Sequence, residues 1–290
     1  MGGIRELRGR IKSVGNIKQI TRAMEMVATT KLRRFQDKAV SSRPYAQEIT
    51  GLVGHLARVL GENLADRPLL RAGTGSKIAV LLAGSDRGLC GAYNSNLFRK
   101  LEEWCQEDPA RSVDYFVYGR KAYQYLKKRE RNVARLFVDP ELEKIDYRGA
   151  ARASRALREA FLSGQYAGVR VLYTAFESMV RYVPTWIELL PIRSRALLAE
   201  ERAKGGDVLL EPDPATLFDQ LLPRYLDTRV YNALVEAITS EYASRRVSMK
   251  NATEAAGDMQ KELKRLYNRK RQETITKELL DIVGGAEALR

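Results

Sequence analysis

The turn with the composition of a phosphate cradle is Gly84-Ser85-Asp86-Arg87-Gly88-Leu89-Cys90-Gly91. It follows an apolar run and precedes a helical pattern, a place where α/β folds bind phosphates through backbone N–H groups. Its spacing matches neither G-x-G-x-x-G nor G-x-x-x-x-G-K-[ST], and no hydroxyl follows a lysine to hold magnesium. A tight structural turn or a contact loop fits better. Cys90 within it reads as a small buried side chain rather than a reactive thiol. One histidine, His55, and two cysteines, Cys90 and Cys105, leave too few ligands for a His-based metal site, a zinc module or a disulfide framework. His55 lies beside Leu52, Leu56 and Leu60 and reads as a partly buried residue of a helix face. Tyr115, Tyr118, Tyr123 and Tyr125 fall in no RNP-like motif and read as core and rim of a sheet. No carboxylate pair, nucleophile–base pair or ligand cluster stands at a catalytic spacing. No catalytic residue, cofactor or metal is therefore expected.

The elements that hold these residues come from composition and period. With 290 residues, 44% hydrophobic and 30% charged, the chain can bury a large core in one or two domains. No apolar run reaches the ~18 residues of a membrane span. The start Met1-Gly2-Gly3-Ile4-Arg5-Glu6 lacks a signal core, so a soluble intracellular protein is expected. The net charge of +14 is unevenly spread. Residues 1–43 hold eleven Lys/Arg against three acids, and residues 241–273 hold nine against five. A basic excess confined to the ends points to an acidic partner gripped by terminal segments.

Both ends are proline-free, from Met1 to Arg43 and from Arg224 to Arg290. In the first, Ile4, Leu7, Ile11, Val14, Ile17, Ile20, Met24, Val27 and Phe35 recur mostly at helical steps. Pro44 either kinks one continuous helix or separates two, with Ser41 or Ser42 as cap. Ahead of the second, Asp213 is placed to cap a helix beginning at Pro214. Steps of seven run Tyr231, Ile238, Arg245, Ala252, Met259, Leu266, interleaved with Val235, Tyr242, Met249, Ala256 and Leu263. Gly284-Gly285 is the expected stop. A helix of sixty to seventy residues spans roughly 100 Å and needs a partner. The N-terminal helix is the obvious one, either running antiparallel to it or with both ends brought back from a distant central domain.

Between the ends, β-rich runs at Lys77–Ala83, Val113–Tyr118, Val133–Val138 and Val169–Ala175 alternate with helical patterns at Ser95–Gln106, Arg120–Arg129 and Arg148–Leu162. That alternation predicts a parallel or mixed sheet. Val180–Leu190, with its internal Pro184, suits an edge strand. Residues 193–211 are polar and read as a loop. The expected fold is therefore α/β plus a long antiparallel coiled coil. It divides into an N-terminal coiled-coil helix over 1–60, a central Rossmann-like α/β domain over 75–195 and a C-terminal coiled-coil helix over 212–290.

Three blocks make the chain recognisable. They are Ile17-Lys18-Gln19-Ile20-Thr21-Arg22-Ala23-Met24-Glu25-Met26-Val27-Ala28, Ser85-Asp86-Arg87-Gly88-Leu89-Cys90-Gly91-Ala92-Tyr93-Asn94, and Met249-Lys250-Asn251-Ala252-Thr253 with Tyr267-Asn268-Arg269-Lys270-Arg271-Gln272 and Ile275-Thr276-Lys277-Glu278. In this order, with Ser42-Arg43-Pro44-Tyr45 and Glu211-Pro212-Asp213-Pro214, they closely resemble the gamma-subunit family of the F-type ATP synthases. The resemblance implies a non-catalytic central-stalk rotor. Its terminal helices would lie inside a hexamer of alpha and beta subunits, and its head on the epsilon subunit and the membrane c-ring. Rotation of the ring would drive the beta sites, whose acidic loops face this basic shaft. By carry-over, Met24 would face the beta lever loop, Arg271 with Gln272 the beta catch loop, and Arg245 would also touch beta. Asp86, Arg87 and Cys90 would form a head-loop contact. Glu273 and Lys277 depart from the family's usual small residue and glutamine. No cysteine follows Cys105, so the thiol regulation of the chloroplast type is not expected. The Met1 start looks bacterial, which implies a peripheral position on the cytoplasmic face of the plasma membrane, with no span of its own and no nucleic-acid partner.

Charge alone would also suit a basic coiled-coil nucleic-acid-binding protein, with steep salt dependence as its mark. An α/β nucleotide-binding enzyme would instead be stabilised by its ligand.

Overall fold

The computed structural model describes residues 2–64, 67–193, 197 and 211–287. The elements run α1 (Gly2–Leu60), β1 (Lys77–Ala83), α2 (Tyr93–Glu107), β2 (Val113–Tyr118), α3 (Arg120–Lys128), β3 (Val133–Phe137), α4 (Tyr147–Leu162), β4 (Tyr166–Phe176), β5 (Tyr182–Leu190) and α5 (Pro214–Glu287). Two compact units share the long helices. One comprises Met1–Thr29 with Arg245–Arg290, and the other Thr30–Ser244.

The second unit is built on a five-stranded sheet of order β3-β2-β1-β4-β5, parallel except for β5 against β4. Crossovers through α2 and α3 carry the chain outward from β1 to the parallel strands β2 and β3. The crossover through α4 returns it to the other side of β1, and a hairpin adds β5. On one face Val80, Leu82, Tyr115, Val117 and Leu172 pack against Leu97 and Leu101 of α2 and Leu126 of α3. The opposite face is covered by α4, with Ala150, Ala153 and Leu157 fully buried. The Tyr118 hydroxyl donates to the Gly149 carbonyl at 3.3 Å. A strand covered on both faces needs apolar residues at every position, and β1 is buried without interruption from Ala79 to Ala83.

Asp213 caps α5 as its position implies, accepting from the Thr216 N–H at 2.9 Å. Pro44 lies inside one continuous α1. Two expectations need correction. The C-terminal helix does not stop at Gly284-Gly285 but runs on to Glu287. A glycine ends a helix by turning left-handed, whereas both of these lie within the helix. The hairpin strands are also displaced: β4 begins three residues earlier, at Tyr166, and β5 two later, at Tyr182. The polar stretch 193–211 lies almost wholly outside the described residues.

Candidate interaction surfaces

In the terminal unit, three juxtapositions fix how α1 and α5 pair. The hydroxyls of Thr21 and Thr253 lie 2.8 Å apart. The Lys18 stem runs past Gly257, where an added Cβ would sit 3.4 Å from Nζ. An added Cβ at Gly15 would meet Gln260 Nε2 at 2.9 Å. As one number falls from 21 to 18 to 15, its partner rises from 253 to 257 to 260. The pair is antiparallel, in steps of three and four. On α1 the inward positions are Ile4, Leu7, Ile11, Val14, Lys18, Thr21, Met24 with Glu25, and Ala28. On α5 they are Met249, Thr253, Ala256, Gln260, Leu263 and Tyr267.

This seam differs from the apolar row expected. Met259 and Leu266 were placed in it by their seven-residue step from Arg245, yet they are 55% and 46% exposed. Ile17, Ile20 and Val27 of α1 are likewise more than half exposed. Thr21, Lys18 and Gln260 hold the inward places instead. Two glycines leave room for the Lys18 stem and the Gln260 amide, which an apolar-period argument has no means to detect. Lysine packs there through its methylenes while its ammonium reaches water.

Continuing the register sets Arg271 and Gln272 opposite the first turn of α1. Beyond them α5 runs on to Glu287 with no α1 residue left to pair. That extension exposes Ile275, Leu279, Leu280, Ile282 and Val283. Singly exposed apolar residues are ordinary, but a helix with this many exposes a patch of the kind that marks an interaction site.

In the other unit, the turn after β1 is pinned from inside. Asn94 donates to Ser85 Oγ at 2.7 Å and accepts from the Ser85 N–H at 3.2 Å. Ser244 of α5 donates to the Cys90 carbonyl at 2.6 Å. Asp86 Oδ1 accepts from the Arg120 N–H at 3.0 Å, at the start of α3. Leu89 stands 61% exposed at φ 63°, a backbone conformation unusual for a leucine.

The full length of the chain now finds relatives with this architecture. Residues 3–289 match the family described as ATP synthase. The chain is 41% identical to the ATP synthase gamma chain of Mycolicibacterium smegmatis, over 99% of this chain and 97% of that one. The gamma chain of Mycobacterium tuberculosis strain H37Rv is also 41% identical, with the same coverage. The chain belongs to the ATP synthase gamma chain family. Its fold matches a chain of the Euglena gracilis mitochondrial ATP synthase, OSCP/F1/c-ring, in rotational state 3. The TM-score is 0.70 at 21% identity, covering 99% of this chain and 95% of that chain. It also matches a chain of the rotor of that synthase in rotational state 1, at 0.65 and 20%, covering 94% and 99%.

The site residues carried over from the gamma family fall into distinct settings. Met24 is half-buried and shares its inward place on α1 with Glu25. Arg271 and Gln272 are exposed, and neither makes a hydrogen bond or ion pair among the described residues. Arg245 is only 7% exposed and is engaged by its neighbours, so little of it is on offer to a partner. In the head, Arg87 is exposed but engaged, Asp86 caps α3, and Cys90 is buried at 2%. The head-loop residues are thus mainly architectural, and Leu89 and Gly88 form the outward tip. Among the described residues no cluster of His, Cys, Asp and Glu could hold a metal ion, and no helix is long and apolar enough to cross a membrane.

Proposed function

We propose that this chain is the central-stalk rotor of a proton-translocating F-type ATP synthase, working peripherally at the cytoplasmic face of a bacterial plasma membrane and itself non-catalytic. The observation that carries this is the match to ATP synthase gamma chains along 99% of the sequence. The paired helices carry a basic excess, as a shaft facing acidic beta loops requires. ATP chemistry would take place on beta, and the head would rest on epsilon and the c-ring. Arg271 and Gln272 supply a bidentate donor fork and an amide at the point where the pair becomes a single helix. That position suits a contact that must hold beta at one angle and release it at the next. Met24 would face the beta lever loop from the seam's edge.

The test is reconstitution into membranes with all the remaining subunits of a synthase from the same source. ATP hydrolysis coupled to proton pumping is expected only when the chain is present. An assembly that pumps equally well without it would overturn the proposal.

A further inference from the structure

Pro44 interrupts α1 in a specific way. It has no N–H to give the Val40 carbonyl one turn back, and the turns of α1 that precede it, from Gln36 to Arg43, border a cavity of about 300 Å³. That volume is at the lower end of small-molecule sites, about 300–1,000 Å³. The cavity lies within one unit, between α1, α5 and the end of β4. Its apolar wall includes Ala39, Val235 and Phe176.

Charges of both signs also line it. The Glu236 carboxylate is held by hydrogen bonds from the Tyr173 hydroxyl and the Phe176 N–H. The Arg43 guanidinium forms no ion pair or hydrogen bond among the described residues. Acceptors are concentrated on the Glu236 side, where Asn232 Oδ1 already receives the Ser42 hydroxyl at 3.4 Å.

We propose that this cavity binds a small zwitterion, an α-amino acid with a short branched apolar side chain. Its ammonium would sit between the Glu236 carboxylate and the Val40 carbonyl, its carboxylate on Arg43, and its side chain against Val235 and Phe176. A cation alone would meet the like charge of Arg43, and an anion alone would face Glu236. Burial pushes the Glu236 carboxyl above its ordinary range, partly offset by the hydrogen bonds from Tyr173 and Phe176 and by the charge of Arg43. An arriving ammonium would relieve that desolvation. The occupant would bridge α1 and α5 beside the proline.

The experiment is calorimetry of L-leucine into the full chain, with isoamylamine and isocaproate as analogues bearing one charge each. Saturable leucine binding is expected with Kd below about 1 mM. Each analogue should bind about tenfold more weakly or worse, the loss that accompanies one missing charge-assisted hydrogen bond. Glu236→Gln and Arg43→Gln should each weaken leucine by a similar factor. Ala39→Leu, which fills the cavity and leaves both charges, should abolish binding, with far-ultraviolet circular dichroism confirming that each variant is folded. The proposal is wrong if leucine does not saturate, if either analogue binds as well, or if both charge variants bind like the parent.

Discussion

At the scale of single residues, Glu143 shows how much rests on partners distant in sequence. Burial pushes its carboxyl up, but hydrogen bonds from Lys31 and Tyr242 outweigh this, and the group titrates below its ordinary 4.5. The Tyr242 hydroxyl donates to it at 2.7 Å. A carboxyl lowered in the folded state adds stability above its unfolded value, which is lost as pH falls through the folded one. Glu143→Gln should therefore lower the urea midpoint at pH 7 and flatten its decline below about pH 4.5. An unchanged slope on the acid side would remove Glu143 from acid stability. Arg271 and Gln272 belong at the same scale. Each bond that a guanidinium makes to a carboxylate is charge-assisted and worth about 1.5–3 kcal/mol. Bonds that must form and break during rotation affect its barrier more than assembly. Arg271→Ala with Gln272→Ala should leave the complex assembled and slow ATP hydrolysis by about tenfold or more. Lys264→Ala, an exposed charge with no assigned contact, should be near neutral. Turnover equal to the parent at matched assembly would exclude the pair.

At the scale of elements, two glycines make opposite demands. Gly257 sits in mid-helix with only the flexible Lys18 end within 4 Å of an added Cβ, and no contact closer than 3.4 Å. Gly257→Ala should raise helix stability by about 0.5–1 kcal/mol through lower backbone entropy in the unfolded chain. Gly119 has φ +94° and an added Cβ would lie 2.1 Å from the Gly84 carbonyl oxygen. Gly119→Ala should therefore cost about 2 kcal/mol or more. Denaturant midpoints of the two variants should move in opposite directions, and movement the same way would contradict the packing described. The same contrast explains what was legible in the sequence. Strands covered on both faces, such as β1, announce themselves as unbroken apolar runs, and Asp213-Pro214 announces a helix start. The coil seam announces itself only partly, because Lys18, Thr21 and Gln260 occupy inward positions where residue type gives no sign. Met259 and Leu266, apolar by type, face outward in their stead. The role of the head loop was equally hidden, since nothing in Asp86 marks it as the cap of a helix that starts 34 positions later.

At the scale of the whole molecule, an α/β sheet with a Gly-rich turn after β1 raises the question of whether the chain handles nucleotides itself. In such sheets ligands bind outside the carboxyl ends of the strands, where the strand order reverses, which here is between β1 and β4. That place is filled by the chain's own side chains. Tyr93 is fully buried and donates to the Ala237 carbonyl of α5 at 3.1 Å. Ser85, Asn94 and Cys90 bond one another, and Ser244 closes over Cys90. The N-terminus of α3, which would attract a phosphate, already has the Asp86 carboxylate as its anion. A nucleotide would have to displace a cap worth about 1 kcal/mol and then face that same carboxylate. It would also lack the P-loop lysine. The full chain on its own should consequently show no saturable heat with magnesium ATP at concentrations that fill nucleotide sites on beta, and no hydrolysis. Asp86→Asn, which removes the charge and keeps a capping oxygen, is the most permissive variant and should also stay silent. Saturable ATP binding by the parent chain that disappears with Arg87→Ala would place a nucleotide site in the head and require a different reading of the turn.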